Sequence, residues 1–357
     1  MTSAFSVGRR KIGAGCEPFL IAEMSGNHQG SLKNALRIVD AAADAGADAL
    51  KIQTYTADTM TIDIRSGDFF ISDPQSLWKG RSLYDLYAEA GTPWEWHKQI
   101  FERCKKRGII GFSTPFDASA VDFLESLKVP MYKIASFEIT DLPLIRRTAR
   151  TKKPLVISTG MATAREIGDA VETARSAGCR HLILLKCTSA YPADARDANL
   201  LTMREMSKKF RCDVGLSDHT TGVGVSIAAV AHGAVMIERH VTLDRKDGGV
   251  DSAFSLEPAE LRMLADACRQ AHWAAGRVAY GPTDKEKKSL CFRRSLYVVK
   301  DLKRGEKFTP ENVRSIRPGF GLPPKHYESI LGKAAAKDLE RGTALRRDFI
   351  QLKRKKI

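Results

Sequence analysis

The sequence lacks paired cysteines. Its seven cysteines (Cys16, Cys104, Cys179, Cys187, Cys212, Cys268 and Cys291) are scattered through 357 residues with no CxxC spacing. That argues against a disulfide framework and against a thiolate zinc site, and leaves most of them as small buried residues. Long apolar runs are missing too: none approaches the roughly 18 residues that cross a bilayer. The start, Met1-Thr2-Ser3-Ala4-Phe5, does not have the charged-then-apolar order of a secretory leader. A cytoplasmic protein with no membrane partner is expected. Acidic side chains are short of basic ones, 42 against 57, for a formal net charge of +15. The basic excess is not gathered with aromatics, as a nucleic-acid surface requires, and its one dense run, Lys353-Arg354-Lys355-Lys356, reads as a solvated tail. No nucleic-acid partner is expected; a positive field suits a small anionic substrate.

What is present is an alternation of strand and helix over the first 280 residues. Strand-like runs stand at Phe19–Glu23, Ala49–Thr54, Gly108–Thr114, Met131–Glu138, Pro154–Gly160, Leu182–Thr188, Gly215–Thr220 and Met236–Thr242. Helices open at Ser31 and at two apparent capping boxes, Thr92-Pro93-Trp94-Glu95 and Thr163-Ala164-Arg165-Glu166. Eight repeats with near-continuous apolar strands imply an α/β fold of the (β/α)8 TIM-barrel type, with both sheet faces covered. A doubly wound open sheet is the alternative, but the turn after the first strand, Ser25-Gly26-Asn27-His28-Gln29-Gly30, is not the Gly-rich phosphate fingerprint. The segment from Tyr55 to Gly91 is long for a connection and rich in aromatics, which suggests a lid or an excursion near the site.

From Gly281 the texture becomes a charged linker, read as 281–292. Beyond it, Lys300-Asp301-Leu302-Lys303-Arg304-Gly305 is echoed by Lys337-Asp338-Leu339-Glu340-Arg341-Gly342. The echo suggests a small pseudo-twofold β domain over 293–357 whose loop Arg317-Pro318-Gly319-Phe320-Gly321 presents a cation.

Barrel chemistry collects at the C-terminal ends of the strands. There the sequence places Glu23, Lys51, Gln53, Ser113 and Thr114, then Lys133, Ser136, Glu138, Ser158 and Thr159, and finally Lys186, Ser217, His219, Glu238 and His240. Ammonium and hydroxyl groups suit phosphate. His219 and His240 end the seventh and eighth strands side by side, where they suit one divalent metal ion. Each has a polar residue two positions earlier on the same face, Ser217 and Glu238. Lys51, Lys133 and Lys186 keep a Schiff-base aldolase open as a second mechanism. A non-enzymatic binding module leaves the polar strand ends without a purpose.

With these residues in view the chain resembles the sialic acid synthase family, over nearly its whole length. The likeness rests on Ile21-Ala22-Glu23 with Asn27-His28-Gln29-Gly30, Ser113-Thr114-Pro115-Phe116, Tyr132-Lys133-Ile134-Ala135-Ser136 and Ser158-Thr159-Gly160-Met161. It continues through Leu216-Ser217-Asp218-His219-Thr220, Glu238-Arg239-His240 and Ser255-Leu256-Glu257-Pro258. The small domain looks like the antifreeze-like (SAF) domain of that family. The resemblance implies metal-dependent condensation of phosphoenolpyruvate with an amino-sugar aldehyde. His219 and His240 would hold Mn2+, or Mg2+ or Co2+, to polarise the aldehyde oxygen. Lys51, Thr114, Lys133, Ser136, Ser158 and Ser217 match the phosphoenolpyruvate binders, and Glu23 and Glu138 are the candidates for orienting the sugar and moving protons. On the sugar side stand Gln53, Tyr191 and Asp251. Arg317 matches an arginine that one subunit extends over the barrel of the other, which implies a domain-swapped homodimer. The segment Leu77-Trp78-Lys79-Gly80-Arg81-Ser82-Leu83-Tyr84, together with Gly249-Val250-Asp251-Ser252-Ala253, is most like the branch of the family that makes pseudaminic acid. Ser189 stands where the sialate-making branch has a sugar-contacting asparagine, so a different sugar is expected; neuraminate and legionaminate remain the alternatives.

Overall fold

The computed structural model describes residues 4–351. The basic run at 353–356 lies outside them. By internal contacts the chain divides into two compact units, Met1–Gly276 and Arg277–Ile357.

The first unit is a closed barrel of eight parallel strands. They are β1 (Phe19–Glu23), β2 (Ala49–Thr54), β3 (Ile110–Pro115) and β4 (Tyr132–Ile134). The circle continues with β5 (Leu155–Ser158), β6 (Leu182–Cys187), β7 (Asp213–Asp218) and β8 (Met236–His240). β8 closes on β1 with His240 opposite Glu23. Successive residues face opposite ways, so each strand serves two cores. Leu20, Ala22, Leu50, Ile52, Ile157 and Leu184 turn outward to the helices, while Phe19, Ile21, Phe112, Met131, Val156 and Met236 fill the barrel. An antiparallel hairpin, Phe5–Val7 with Arg10–Ile12, adds Phe5, Val7 and Ile12 to the inner core. These apolar side chains fill the lower barrel, and the polar residues lie at the strands' C-terminal ends.

Ser31 caps the first barrel helix, Leu32–Asp44, and Thr163 with Glu166 forms a capping box on Ala164–Ser176. Two expectations are corrected. The helix Trp94–Arg107 has Pro93 at its cap position and no side-chain cap; the Thr92 hydroxyl instead faces His28 Nε2 at 3.3 Å, because burial turns it inward. The fourth strand stops at Ile134, and Ser136–Glu138 is a 3-10 turn. Within the charged stretch 281–292 lies the short helix Asp284–Lys287, capped by Thr283 and Glu286. Among the described residues no helix is long and apolar enough to cross a membrane.

In the second unit Ser295–Val298 pairs antiparallel with Val313–Ile316 over a core that includes Leu296, Phe308, Leu339 and Leu345. The sequence echo appears as reciprocal bonds: Arg304 N donates to Asp338 Oδ1 at 2.8 Å, and Arg341 N to Asp301 Oδ1 at 2.7 Å.

Candidate active site

The C-terminal ends of the barrel strands surround a cavity of about 300 Å3. Eleven of the residues expected at a site line it: Lys51, Gln53, Lys133, Ser136, Glu138, Ser158, Tyr191, Ser217, His219, His240 and Asp251. Glu23 and Thr114 sit one layer behind, where both bind Lys51. Its Nζ is 2.6 Å from Glu23 Oε2 and donates to Thr114 Oγ1 at 3.1 Å. Gln53 Nε2 donates to Glu23 Oε1 at 2.9 Å. Lys186 does not line the cavity; its Nζ donates to Cys187 O and Thr188 Oγ1, on the other strand face. Arg317 belongs to the second unit, on an exposed turn after Val313–Ile316.

At the floor, Glu238 joins the two cavity lysines. Its Oε1 accepts from Ser217 Oγ at 3.1 Å and stands 3.6 Å from Lys133 Nζ and 3.9 Å from Lys51 Nζ. Burial opposes ionisation of Glu238, but the Lys133 and Lys51 ammoniums outweigh it and hold its carboxyl below the ordinary range. Burial likewise opposes the Lys51 ammonium, and the Glu23 and Glu238 carboxylates more than offset it. Lys133 is lowered by burial despite Glu238. The carboxyl of Glu138 is pushed up to about 7 by burial, only partly offset by Lys133.

The imidazoles of His219 and His240 lie 5.3 Å apart, centre to centre. His219 Nδ1 meets the Thr188 carbonyl at 3.0 Å, so in the neutral ring Nδ1 carries the proton and Nε2 the lone pair; burial opposes its charged form, but Cys187 and that carbonyl outweigh it and raise its pKa. Cys187 Sγ is 3.9 Å from the same Nδ1, too far to displace that bond. Burial, followed by the nearby His219, Lys51 and Arg239, holds His240 well below 6.5, so its ring is neutral. The contact of its Nδ1 with Asp251 Oδ2 at 3.7 Å is therefore not an ion pair. Ser25 Oγ donates to that carboxylate at 2.5 Å, and Asn27, bonded to Val241 O and Ser255 Oγ, ties the β1 turn to the loop that carries Asp251.

Four buried polar atoms on cavity-lining residues make no hydrogen bond among the described residues: Ser158 Oγ, Glu138 Oε2, Glu238 Oε2 and His240 Nδ1. Buried polar atoms are seldom left so, and their convergence on one cavity points to a polar ligand. No group of three or more histidine, cysteine or carboxylate side chains arranged to hold a metal occurs among the described residues. What fits a divalent ion is the pair of imidazoles, His219 with no hydrogen bond drawn to its Nε2 and the neutral His240 with an unpartnered Nδ1.

The outer wall comes from the excursion between β2 and the helix Trp94–Arg107. Met60, Ile71, Trp78, Leu83, Leu86 and Tyr87 line the cavity. Trp78 is anchored by its Nε1, which donates to Val250 O at 3.0 Å, and its ring lies 5.9 Å from that of Tyr191. Close packing also shapes the side of β5: a Cβ added at Gly160 would stand 2.1 Å from Ser189 Oγ and 2.8 Å from Ser136 Oγ.

The model of the NeuB family matches residues 38–280, more than half of the chain. The chain belongs to the NeuB family. A SAF domain, which family members carry after the barrel in the likeness drawn above, matches residues 293–351. Among curated NeuB-like relatives, a Campylobacter jejuni pseudaminic acid synthase is 47% identical over 92% of this chain and 95% of its own. The pseudaminic acid synthase of Helicobacter pylori is 43% identical over 94% and 98%. Among solved structures, the N-acetylneuraminic acid (sialic acid) synthetase of Leptospira borgpetersenii superposes with a TM-score of 0.72 at 32% identity, covering 81% of this chain and 96% of its own.

Glu238 was legible as a strand-end polar residue but was left out of the expected catalytic and binding set. The signal was there, since it stands two positions before His240 and so faces the same cavity. Ser25 and Cys187 were missed as lining residues. Ser25 sits in a turn at φ 47°, which no periodicity announces.

Proposed function

We infer that this chain is a phosphoenolpyruvate-dependent pseudaminic acid synthase. It joins phosphoenolpyruvate to 2,4-diacetamido-2,4,6-trideoxy-L-altrose with consumption of water, releasing phosphate by C–O cleavage. The observation that carries it is the set of unpartnered polar atoms between two lysines and two imidazoles at one barrel mouth. The choice of sugar is supported by relatives at 43–47% identity that are pseudaminic acid synthases, against 36% for a legionaminic acid synthase.

In this reading Lys51 and Lys133 neutralise the phosphate and carboxylate of phosphoenolpyruvate, while Ser136, Ser158 and Ser217 fix their orientation. Thr114 and Glu23 hold Lys51 in place. Glu138, with its carboxyl near neutrality, exchanges a proton with the reacting groups. Gln53, Tyr191 and Asp251 face the sugar, joined by Arg317 in a domain-swapped homodimer acting in the cytoplasm. His219 and His240 would hold the divalent ion, with Mn2+ the first choice; when bound it supplies Lewis-acid polarisation of the aldehyde oxygen. We take the catalytic part to span 1–280, the connection 281–292 and the SAF part 293–357.

Phosphate release with a sugar panel tests the reading. Turnover is expected with the altrose and not with N-acetylmannosamine, lost on exhaustive chelation and restored by Mn2+. The lowered pKa of Lys133 favours one rival, a Schiff-base aldolase. That rival predicts turnover after chelation and a borohydride-trapped lysine adduct, and either result would displace the metal reading.

A further inference from the structure

Asp218 and Arg239 stand on strand faces turned away from the cavity, each between two cavity residues. Ser217 and His219 flank the one; Glu238 and His240 flank the other. The two are register partners across β7 and β8, and their charges meet at 2.6 Å with side chains 1% and 0% exposed. A buried ion pair generally stabilises no better than apolar side chains of the same volume. Stability alone therefore gives no reason for these charges.

Their bonds do. β7 ends at Asp218, so His219 lies one residue past the strand. The next residue is gripped from both sides: Thr220 N and Oγ1 donate to Asp218 Oδ1 at 2.9 and 2.8 Å, and Thr220 O accepts from Arg239 Nη2 at 2.7 Å. Ser226 Oγ, from the helix Gly224–Ala231, donates to Asp218 Oδ2 at 2.5 Å and braces the carboxylate from behind. The chain is thus fixed on both sides of His219, and the guanidinium that does part of this is carried by the residue beside His240. One further backbone bond, Ala193 N to His219 O at 3.0 Å, completes the hold.

We propose that Asp218 and Arg239 are positioning residues that set the His219–His240 pair for a divalent cation. The proposal rests on the reading that these imidazoles hold the metal. Outer partners of metal ligands typically change metal affinity by about 10–100-fold when altered. Arg239→Lys keeps the charge but loses the two-pronged reach to Asp218 and Thr220. Asp218→Asn keeps the shape and removes the charge.

The test measures Mn2+ binding to metal-free full-length protein from the electron spin resonance of free Mn2+, with near-ultraviolet circular dichroism as the check on folding. The Mn2+ Kd is expected to rise about 10–100-fold in both variants. The KM for phosphoenolpyruvate should rise clearly less than the Mn2+ Kd, because its ammonium partners Lys51 and Lys133 lie on β2 and β4 and only Ser217 neighbours the altered pair. An unchanged Mn2+ Kd in a folded variant overturns the proposal, as does equal weakening of metal and phosphoenolpyruvate binding, which marks general loosening. Failure of both variants to fold makes the pair a stability element and also overturns it. If the unaltered protein binds no Mn2+, the metal reading falls as well.

Discussion

Glu138 is held in the folded chain at a cost. Its carboxyl titrates near 7 there, against an ordinary value of 4.5, because burial disfavours the charged form. Below about 4.5 the group is protonated in both folded and unfolded chains and costs nothing. Between these values the unfolded chain releases the proton while the folded chain keeps it, so stability falls as pH rises, and above about 7 the loss is complete. Converted at 1.36 kcal/mol per unit, it amounts to about 3 kcal/mol at most. Glu138→Gln should therefore be more stable than the parent at pH 8 by up to about 3 kcal/mol and equal to it at pH 4, read from urea unfolding at the two pH values. If Glu138 moves protons in the reaction, the same change lowers kcat by about 10²–10⁴-fold. A variant that gains stability and keeps its rate would make the residue a buried accident. Residues such as Lys51, Lys133 and Ser217 were visible from sequence because alternation along a strand fixes which side chains face the barrel. Which charges pair was not visible: Glu238 is held by Lys133 and Lys51 from β4 and β2, and a single strand's pattern carries no information about its neighbours across the barrel.

The eight strands were legible to within two residues at most ends because parallel strands covered on both faces are continuous apolar runs. The fourth overran because Ser136-Phe137-Glu138 keeps a strand-like composition while the chain turns, with Glu138 N bonded to Ala135 O at 3.2 Å. Thr92 misled in a similar way, since a capping pattern does not reveal that the hydroxyl is wanted elsewhere. The excursion between β2 and the helix Trp94–Arg107 announced itself only by length and aromatic content. Its place is set by long-range anchors, such as Trp78 Nε1 on Val250 O, 172 positions away, and these have no local signature. An apolar wall opposite a charged floor favours the methyl-bearing face of a deoxy, N-acylated sugar, because a hydroxyl placed there loses its water without gaining a partner. Trp78→Ala should lower kcat/KM for the sugar about tenfold or more and leave the KM for phosphoenolpyruvate within about twofold. Steady-state kinetics with each substrate varied in turn would read both, and equal losses for the two substrates would argue that the wall merely supports the barrel.

At the scale of the whole molecule, the two units divide structure from chemistry. All the lysines, hydroxyls and imidazoles of the candidate site lie in the barrel unit, whereas the second unit offers an exposed arginine, Arg317, on a turn. The internal echo is matched in that unit by reciprocal bonds, the Arg304 and Arg341 backbone N–H groups donating to the Asp338 and Asp301 carboxylates. The role of Arg317 rests on family likeness, and complementation tests it without reference to geometry. Arg317→Ala should raise the KM for the sugar, and His240→Ala should abolish metal-dependent turnover while leaving the fold, because His240 Nδ1 makes no hydrogen bond among the described residues. When the two variants are unfolded and refolded together, a domain-swapped dimer contains one barrel that keeps His240 and receives an intact Arg317 from the other chain. Its other barrel has lost both. Mixing should then restore phosphate release at low sugar concentration to a level neither variant reaches alone. If Arg317 serves the barrel of its own chain, every barrel in the mixture carries one defect, and activity should stay at the average of the two separate variants.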